Sequence, residues 1–220
     1  MSDGVALLFD LDGTLVHTDP IHFAVFRDLF AEYDVTLSWE DFRTDVIGQT
    51  NRHIFSQYLT DEIEHAQELA DRKEAEFRRR LDERVEPVAG AEAILDWAVA
   101  QDVPYAIVTN APRANAEAML EATGLAPRFE TVIAEGDAGQ GKPDPAPYLM
   151  AMDRLGVEPV HSIAFEDSHS GNRSARASGA YVFGMTSSLE PEALLQAGAH
   201  QAIAHFEDPA LWAYLDQRRT

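Results

Sequence analysis

The sequence contains no cysteine, and it has few basic side chains for its length. The missing thiols exclude disulfides, thiolate metal sites and a cysteine nucleophile, and they are compatible with a reducing cytoplasm. Lys and Arg number 17 against 38 Asp and Glu, so the formal net charge is −21. Nucleic acids and anionic membrane surfaces attract clustered positive charge, so we expect neither as a partner. No apolar run approaches the ~20 residues that a membrane-spanning helix needs.

The 220 residues that are present are 45% hydrophobic, which is enough for one large domain or for a domain with a smaller insert. Short apolar runs bounded by turn residues recur at 5–9, 105–109, 131–134, 162–165, 181–183 and 202–203. Helical patterns lie between the later runs and stop at Gly124, Gly156 and Gly179. This alternation predicts an α/β fold with a doubly wound parallel sheet covered by helices on both faces.

The interval after the first apolar run breaks this alternation, because it shows only helical patterns. Two apolar stripes with helical spacing occur there, at His22, Val25, Phe26, Leu29, Phe30 and Tyr33, and at Ile63, Ala66, Leu69, Phe77 and Leu81. A connection of about seventy residues is far longer than an ordinary loop. We therefore expect an all-helical cap domain over residues 17–86, inserted into an α/β core of residues 1–16 and 87–220, with hinges near 15–19 and 85–89.

Polar side chains follow the predicted strands where each of them ends. They are Asp10 and Asp12 after the first strand, Thr109 and Asn110 after the second, and Glu166, Asp167 and Ser168 after the fourth, with Lys142 and Pro143 opening the helix before it. The carboxyl ends of parallel strands meet at one edge, where open α/β sheets bind their ligands. Carboxylates gathered there repel one another unless a cation joins them, and Mg²⁺ prefers carboxylates together with phosphate oxygens. A lysine and a hydroxyl group also suit a phosphate ligand.

These residues form four short motifs in a fixed order: Asp10-Leu11-Asp12-Gly13-Thr14, Thr109-Asn110, Lys142-Pro143, and Glu166-Asp167-Ser168 followed by Gly171. The ordered set resembles the haloacid dehalogenase superfamily, in the subgroup with a helical cap of the C1 type after the first strand. The resemblance implies a Rossmann-like core. The Glu-Asp-Ser motif and residues 17–22 are similar to the β-phosphoglucomutase-like and sugar-phosphatase branch, although His17 stands where that branch usually has Asp.

The resemblance also implies a role for each motif residue. Asp10 would be the nucleophile that forms an aspartyl-phosphate, and Asp12 would be the general acid and base. Mg²⁺ would be held by Asp10, the backbone carbonyl of Asp12, Glu166 and Asp167. The phosphate would be held by Thr109, Asn110, Ala111 and Lys142.

In the cap, the same resemblance points to His22, Gly48, Arg52 and Lys73 as substrate contacts, and each of the three side chains has a plainer alternative. His22 lies on an apolar helix face and could be a core histidine. Lys73 falls on the second apolar stripe, where a charge is costly unless it is paired, meets substrate or snorkels to water. Arg52 could clamp a distal anionic group or simply begin a surface helix.

Together these observations predict a Mg²⁺-dependent phosphatase of a small phosphorylated metabolite, with a sugar phosphate as the substrate. A β-phosphoglucomutase and a phosphoglycolate phosphatase stay open as alternatives. A dehalogenase would lack the acid Asp12 and the metal, and a non-catalytic interaction protein would have lost a motif residue, so neither is favoured. We expect a cytoplasmic enzyme that is a monomer or a weak dimer.

Overall fold

The computed structural model describes residues 5–81 and 85–218, and a single six-stranded sheet lies at its centre. Its strands are β1 (Ala6–Phe9), β2 (Tyr105–Val108), β3 (Val132–Ile133), β4 (Ser162–Glu166), β5 (Tyr181–Met185) and β6 (Gln201–Ile203). All neighbouring strands are parallel, in the order β3-β2-β1-β4-β5-β6. The predicted α/β fold is confirmed, and each predicted strand lies within two residues of its expected bounds.

Ten α-helices accompany the sheet in the described residues. They are α1 (Asp19–Ala31), α2 (Trp39–Asp41), α3 (Asn51–Tyr58), α4 (Ala66–Arg80), α5 (Ala91–Ala100), α6 (Arg113–Thr123), α7 (Ala146–Leu155), α8 (His169–Ala177), α9 (Pro191–Ala197) and α10 (Pro209–Asp216). A π-helical turn covers Phe42–Val46, and short 3₁₀ turns cover Thr60–His65, Ala126–Arg128 and Pro159–His161. Across 5–81 and 85–218, none of the helices combines the length and the apolar character needed to cross a membrane.

The chain forms two compact units, which are an α/β unit of Met1–His17 and Arg84–Thr220, and a helical unit of Thr18–Glu83. In the α/β unit, Phe9, Phe165 and Phe183 lie side by side in register on one face of the sheet. Their rings are stacked, at 5.0 Å between the first two and 5.6 Å between the last two. Alternation along each strand sends the preceding residues to the opposite face, where Leu8 and Ala164 join the core against α7 and α8. Both faces are therefore buried, as the continuous apolar runs require.

Two element starts in the α/β unit differ from expectation. Helix α7 begins at Ala146, so Lys142 lies in the loop before the helix and does not open it. Helix α8 begins at His169, whereas the helical pattern of the sequence predicts a helix over 172–178. The Ser168 hydroxyl accepts the backbone N–H of Gly171 and caps the helix at this earlier start. In α8, this local hydrogen bond rather than apolar spacing sets where the helix starts.

The helical unit has a hydrophobic core of its own, and α1 and α4 pack together within it. Phe26, Phe30 and Phe55 lie at its centre, with less than a tenth of each ring exposed. The start of α2 has a capping box, since the side chains of Ser38 and Asp41 each accept the other's backbone N–H. The expected domain boundaries at residues 17 and 86 stay a prediction.

Candidate active site at the carboxyl edge of the sheet

The neighbouring strands β1 and β4 bring three carboxylates together at their carboxyl ends. The backbone N–H of Asp10 donates to the carbonyl of Phe165 at 3.0 Å, so the β1–β4 ladder continues one residue beyond Phe9. This register places Asp10 next to Glu166 and Asp167 on the other strand end. All three side chains are buried, and one oxygen atom of each lies within 4.8 Å of the others. The predicted convergence of these residues at one sheet edge is therefore present.

Lys142 lies among these carboxylates as their buried counter-ion. Its Nζ donates to Asp10 Oδ1 at 2.6 Å and also to Glu166 Oε1. The loop that carries Lys142 is held by the side chain of Asn110, which donates to the carbonyl of Lys142 at 3.1 Å and accepts its N–H at 2.9 Å. Asn110 thus ties the end of β2 to the loop before α7 and fixes where the lysine enters the site.

Burial and charge shift the pKa values of this pair in ways that follow from the geometry. Burial of the Asp10 carboxyl raises its pKa to about 7, aided by the charges of Glu166 and Asp12 and opposed by Lys142. Burial opposes the charged form of Lys142, but the two carboxylates outweigh it and raise its pKa above the ordinary value. The lysine therefore stays protonated, and further positive charge beside Asp10 would favour its ionised form.

The cluster has the properties of a divalent-cation site. Among the residues that the structure describes, Glu166 Oε2 is buried without a hydrogen-bond partner, which is costly unless a cation binds it. Two glycines leave room for the carboxylates, since a Cβ at Gly171 would overlap the carboxylate of Glu166 and one at Gly13 would overlap that of Asp167. Gly13 also has a φ of +81°, which favours glycine by itself. Hard carboxylate oxygens in this arrangement fit Mg²⁺.

The two remaining motif positions line the same edge. The Thr109 side chain is buried, and its hydroxyl accepts the backbone N–H of Ala111 at 3.0 Å, which shapes the turn after β2. Asp12 lies in the turn after β1 and is half-buried. Its charge raises the pKa of Asp10, but its carboxylate is outside the group of three that could share a cation. Its expected metal contact is through the backbone carbonyl, which stays a prediction.

Three further polar residues support the site, and none of them belongs to one of the four sequence motifs. The Tyr148 hydroxyl donates to Glu166 Oε1 at 2.5 Å, and the Ser188 hydroxyl donates to Asp167 Oδ2. The side chain of Asn172 donates to the carbonyl of Ser168 at 2.8 Å and stabilises the turn before α8. Tyr148 follows Lys142 by six residues and lies on an apolar helix face. In the sequence, only its hydroxyl group distinguishes it from the apolar residues of that face.

The candidate residues of the helical unit fall into two groups. Lys73 is buried, with its Nζ 2.9 Å from His22 Nδ1 and 3.0 Å from Glu74 Oε1, and the His22 ring stacks on Phe77 at 4.0 Å. The snorkelling alternative for Lys73 is therefore wrong, because its charge is paired inside the unit. Asn51 donates to Glu74 at 2.6 Å and completes this cluster.

Gly48 and Arg52 form the second group, which differs from the buried cluster in its exposure to solvent. Both are exposed, Gly48 with a φ of +76° in the turn before α3 and Arg52 in the first turn of that helix. The Thr50 hydroxyl caps α3 by accepting the N–H of His53 at 3.3 Å. Arg52 thus stands at a surface helix start, where it has access to solvent and to anions dissolved in it.

Comparisons with known proteins cover most of this chain. Residues 7–185 match the family model described as haloacid dehalogenase-like hydrolase. The chain is 34% identical over 188 residues to protein CbbY of Rhodobacter capsulatus, which covers 80% of this chain and 83% of that protein. It is 29% identical over 201 residues to a phosphorylated carbohydrates phosphatase of Thermotoga maritima, covering 88% and 91%. The crystal structure of a HAD hydrolase of family IA, variant 3, from Entamoeba histolytica has a TM-score of 0.87 at 29% identity, covering 97% and 99%.

Proposed function

Because this chain belongs to the haloacid dehalogenase-like hydrolase family, we propose that it is a Mg²⁺-dependent phosphatase of small phosphorylated metabolites, with sugar phosphates as its substrate class. The observation that carries the proposal is the buried set of Asp10, Glu166 and Asp167 around Lys142. This set provides a nucleophile, a site for a divalent cation and a fixed positive charge within a few ångströms of one another.

The reaction that we propose has two displacements at phosphorus. A carboxylate oxygen of Asp10 attacks phosphorus, the bond to the leaving oxygen breaks, and Asp12 protonates that oxygen to release the alcohol. Asp12 then accepts a proton from water, whose oxygen attacks the same phosphorus and frees Asp10 and inorganic phosphate. The half-buried turn position of Asp12 suits a group that must exchange protons, whereas the buried position of Asp10 suits the nucleophile.

Positioning and charge stabilisation carry most of the catalysis in phosphoryl transfer. We propose that Lys142, Thr109 and the amides at Asn110 and Ala111 hold the phosphoryl oxygens. Asp10, Glu166, Asp167 and the carbonyl of Asp12 would hold Mg²⁺. When bound, Mg²⁺ would neutralise the repulsion between Asp10 and the phosphate and stabilise the charge that develops on it.

The substrate class is supported by the name of one relative. The Thermotoga maritima relative is named as a phosphatase of phosphorylated carbohydrates. We propose that the helical unit is the cap domain that selects the substrate, with His22, Gly48, Arg52 and Lys73 as its candidate contacts. A cysteine-free chain fits an enzyme that works on such metabolites in the cytoplasm.

The test is phosphate release from a panel of sugar phosphates, phosphoglycolate and nucleotides, with and without Mg²⁺. We expect Mg²⁺-dependent release concentrated on a few sugar phosphates, and loss of release in Asp10→Asn. Release only from phosphoglycolate would correct the substrate class, and halide release without Mg²⁺ would correct the reaction. Interconversion of β-glucose 1-phosphate and glucose 6-phosphate with a bisphosphate primer, without net phosphate release, would identify a mutase.

A further inference from the structure

Tyr148 is a fully buried residue in the first turn of α7, and its hydroxyl ends at the carboxylate cluster. The hydroxyl donates to Glu166 Oε1 at 2.5 Å. Lys142 donates to the same oxygen, and its Nζ lies 5.3 Å from the centre of the Tyr148 ring. One oxygen of Glu166 therefore receives two hydrogen bonds from two different elements of the α/β unit.

The other oxygen of Glu166 is in the opposite situation. Glu166 Oε2 is buried and has no hydrogen-bond partner among the described residues. It lies beside Gly171, where any Cβ would overlap the carboxylate. The donors on one side and the missing Cβ on the other hold the carboxylate in one orientation, with one oxygen satisfied by the protein and the other left for a cation.

We propose that Tyr148 is a positioning residue that sets the Mg²⁺ affinity of the site by holding Glu166 with Oε2 available to the metal. This inference rests on the proposed function, because it assumes that the carboxylate cluster binds Mg²⁺. Outer hydrogen-bond partners of metal ligands fix the orientation of those ligands, and their removal costs about 10–100-fold in metal affinity. Lys142 divides its hydrogen bonds between Asp10 and Glu166, whereas the hydrogen bond described for the Tyr148 hydroxyl goes to Glu166.

The phenol is well suited to this task because it stays a donor. Burial, together with the charges of Glu166 and Asp10, raises the pKa of Tyr148 well above its ordinary value. Among the described residues, the acceptor of this hydroxyl is Glu166.

The experiment is calorimetric titration of the metal-free protein with Mg²⁺, in the absence of substrate, for the wild type and Tyr148→Phe. We expect the Kd for Mg²⁺ to rise about 10–100-fold in the variant. Saturating Mg²⁺ should return kcat to within a few-fold of the wild type, with the KM for substrate unchanged. Tyr58→Phe is the matched control, because it removes a similar phenol–carboxylate bond, 2.8 Å to Asp45, from the helical unit. It should leave the Kd for Mg²⁺ unchanged.

A double-mutant cycle separates positioning from a general loss of packing. If Tyr148 acts through Glu166, Tyr148→Phe should have no further effect on the Kd once Glu166→Gln is present. An unchanged Kd in Tyr148→Phe, or additive effects in the double variant, would overturn the inference while leaving the proposed function intact. A wild type that neither binds Mg²⁺ nor releases phosphate would overturn both.

Discussion

The chain has only two lysines, and each unit of the molecule contains one of them, Lys73 in the helical unit and Lys142 in the α/β unit. Both amino groups are almost fully buried, with 4% and 3% of the side chain exposed. Lys142 in the α/β unit lies between the carboxylates of Asp10 and Glu166, beside Asp167. Lys73 in the helical unit forms an ion pair with Glu74, and its Nζ lies 4.7 Å from the ring centre of Phe26.

The difference lies in the balance of charge. In the helical unit, one lysine and one carboxylate neutralise each other, and His22 and Asn51 complete their hydrogen bonds. In the described part of the α/β unit, three buried carboxylates lie together and Lys142 pairs with two of them, so ionisation of all three would give these four side chains an excess of two negative charges. A buried excess of charge is costly unless it is neutralised from outside. Among the residues that the structure describes, the first cluster has matched charges, whereas the second has an excess of carboxylates that suits a divalent cation.

The largest effect should come from removing Lys142 from the unbalanced cluster, by which we mean Lys142 with Asp10, Glu166 and Asp167. Lys142→Met keeps much of the side-chain volume but removes the ammonium group that donates to Asp10 and Glu166. Loss of a preorganised charge at the phosphoryl group should lower kcat by about 10³-fold, or ~4 kcal/mol of transition-state stabilisation. Phosphate release at saturating substrate and Mg²⁺ measures this effect. A decrease of less than tenfold would show that Lys142 only balances charge.

Removing Lys73 from the balanced cluster, by which we mean Lys73 with Glu74, His22 and Asn51, should mainly reduce stability. Lys73→Met leaves Glu74 buried without its cation, which should lower the free energy of unfolding by about 3 kcal/mol. Lys73→Met/Glu74→Leu removes both charges and should recover most of that loss, because well-packed apolar residues often replace a buried pair without penalty. Urea unfolding at pH 7 tests both variants. A single variant as stable as the wild type would contradict the internal pairing.

The sequence predicted the surroundings of Lys142 far better than those of Lys73. Asp10, Thr109, Lys142 and Glu166 each follow or precede an apolar strand, and parallel strands bring their ends to one edge, so the convergence follows from the topology. No such rule relates residues on different helices of the helical unit. The contact between Lys73 and His22 depends on how α1 and α4 pack, which apolar spacing alone does not determine.

The supporting residues of the α/β site were missed for a related reason. Tyr148 and Ser188 act through a single hydroxyl each, and neither belongs to a motif. Whether a tyrosine on a core face meets a carboxylate or an apolar neighbour depends on the rotation of α7 against the sheet. A buried aromatic residue six positions after Lys142 was consistent with packing alone.

A glycine near the unbalanced cluster gives a smaller and more local test. Alanine normally stabilises a helix interior relative to glycine by roughly 0.5–1 kcal/mol. At Gly171 its Cβ would displace the Glu166 carboxylate, so Gly171→Ala should raise the Mg²⁺ concentration for half-maximal activity by about 10–100-fold. Gly124→Ala is the control, because that glycine has open space around it and a φ of +73°. Gly124→Ala should reduce stability and leave the Mg²⁺ requirement unchanged. Equal Mg²⁺ requirements in the two variants would contradict the steric overlap that we expect between the new Cβ at position 171 and the Glu166 carboxylate.

The smallest effect, and the most direct check on the balanced cluster, is the pH dependence of stability. Burial alone would raise the pKa of Glu74, but Lys73, Asn51 and His22 outweigh it and hold the pKa below its usual 4.5. A lowered pKa in the folded state stabilises the protein above the unfolded pKa, and that contribution is lost as the pH falls through the folded value. The difference in unfolding free energy between the wild type and Glu74→Gln should therefore be constant above pH 4.5 and shrink at lower pH. Urea unfolding from pH 7 to pH 3 measures it, and a difference that does not change with pH would mean that Glu74 is not the ionised partner of Lys73.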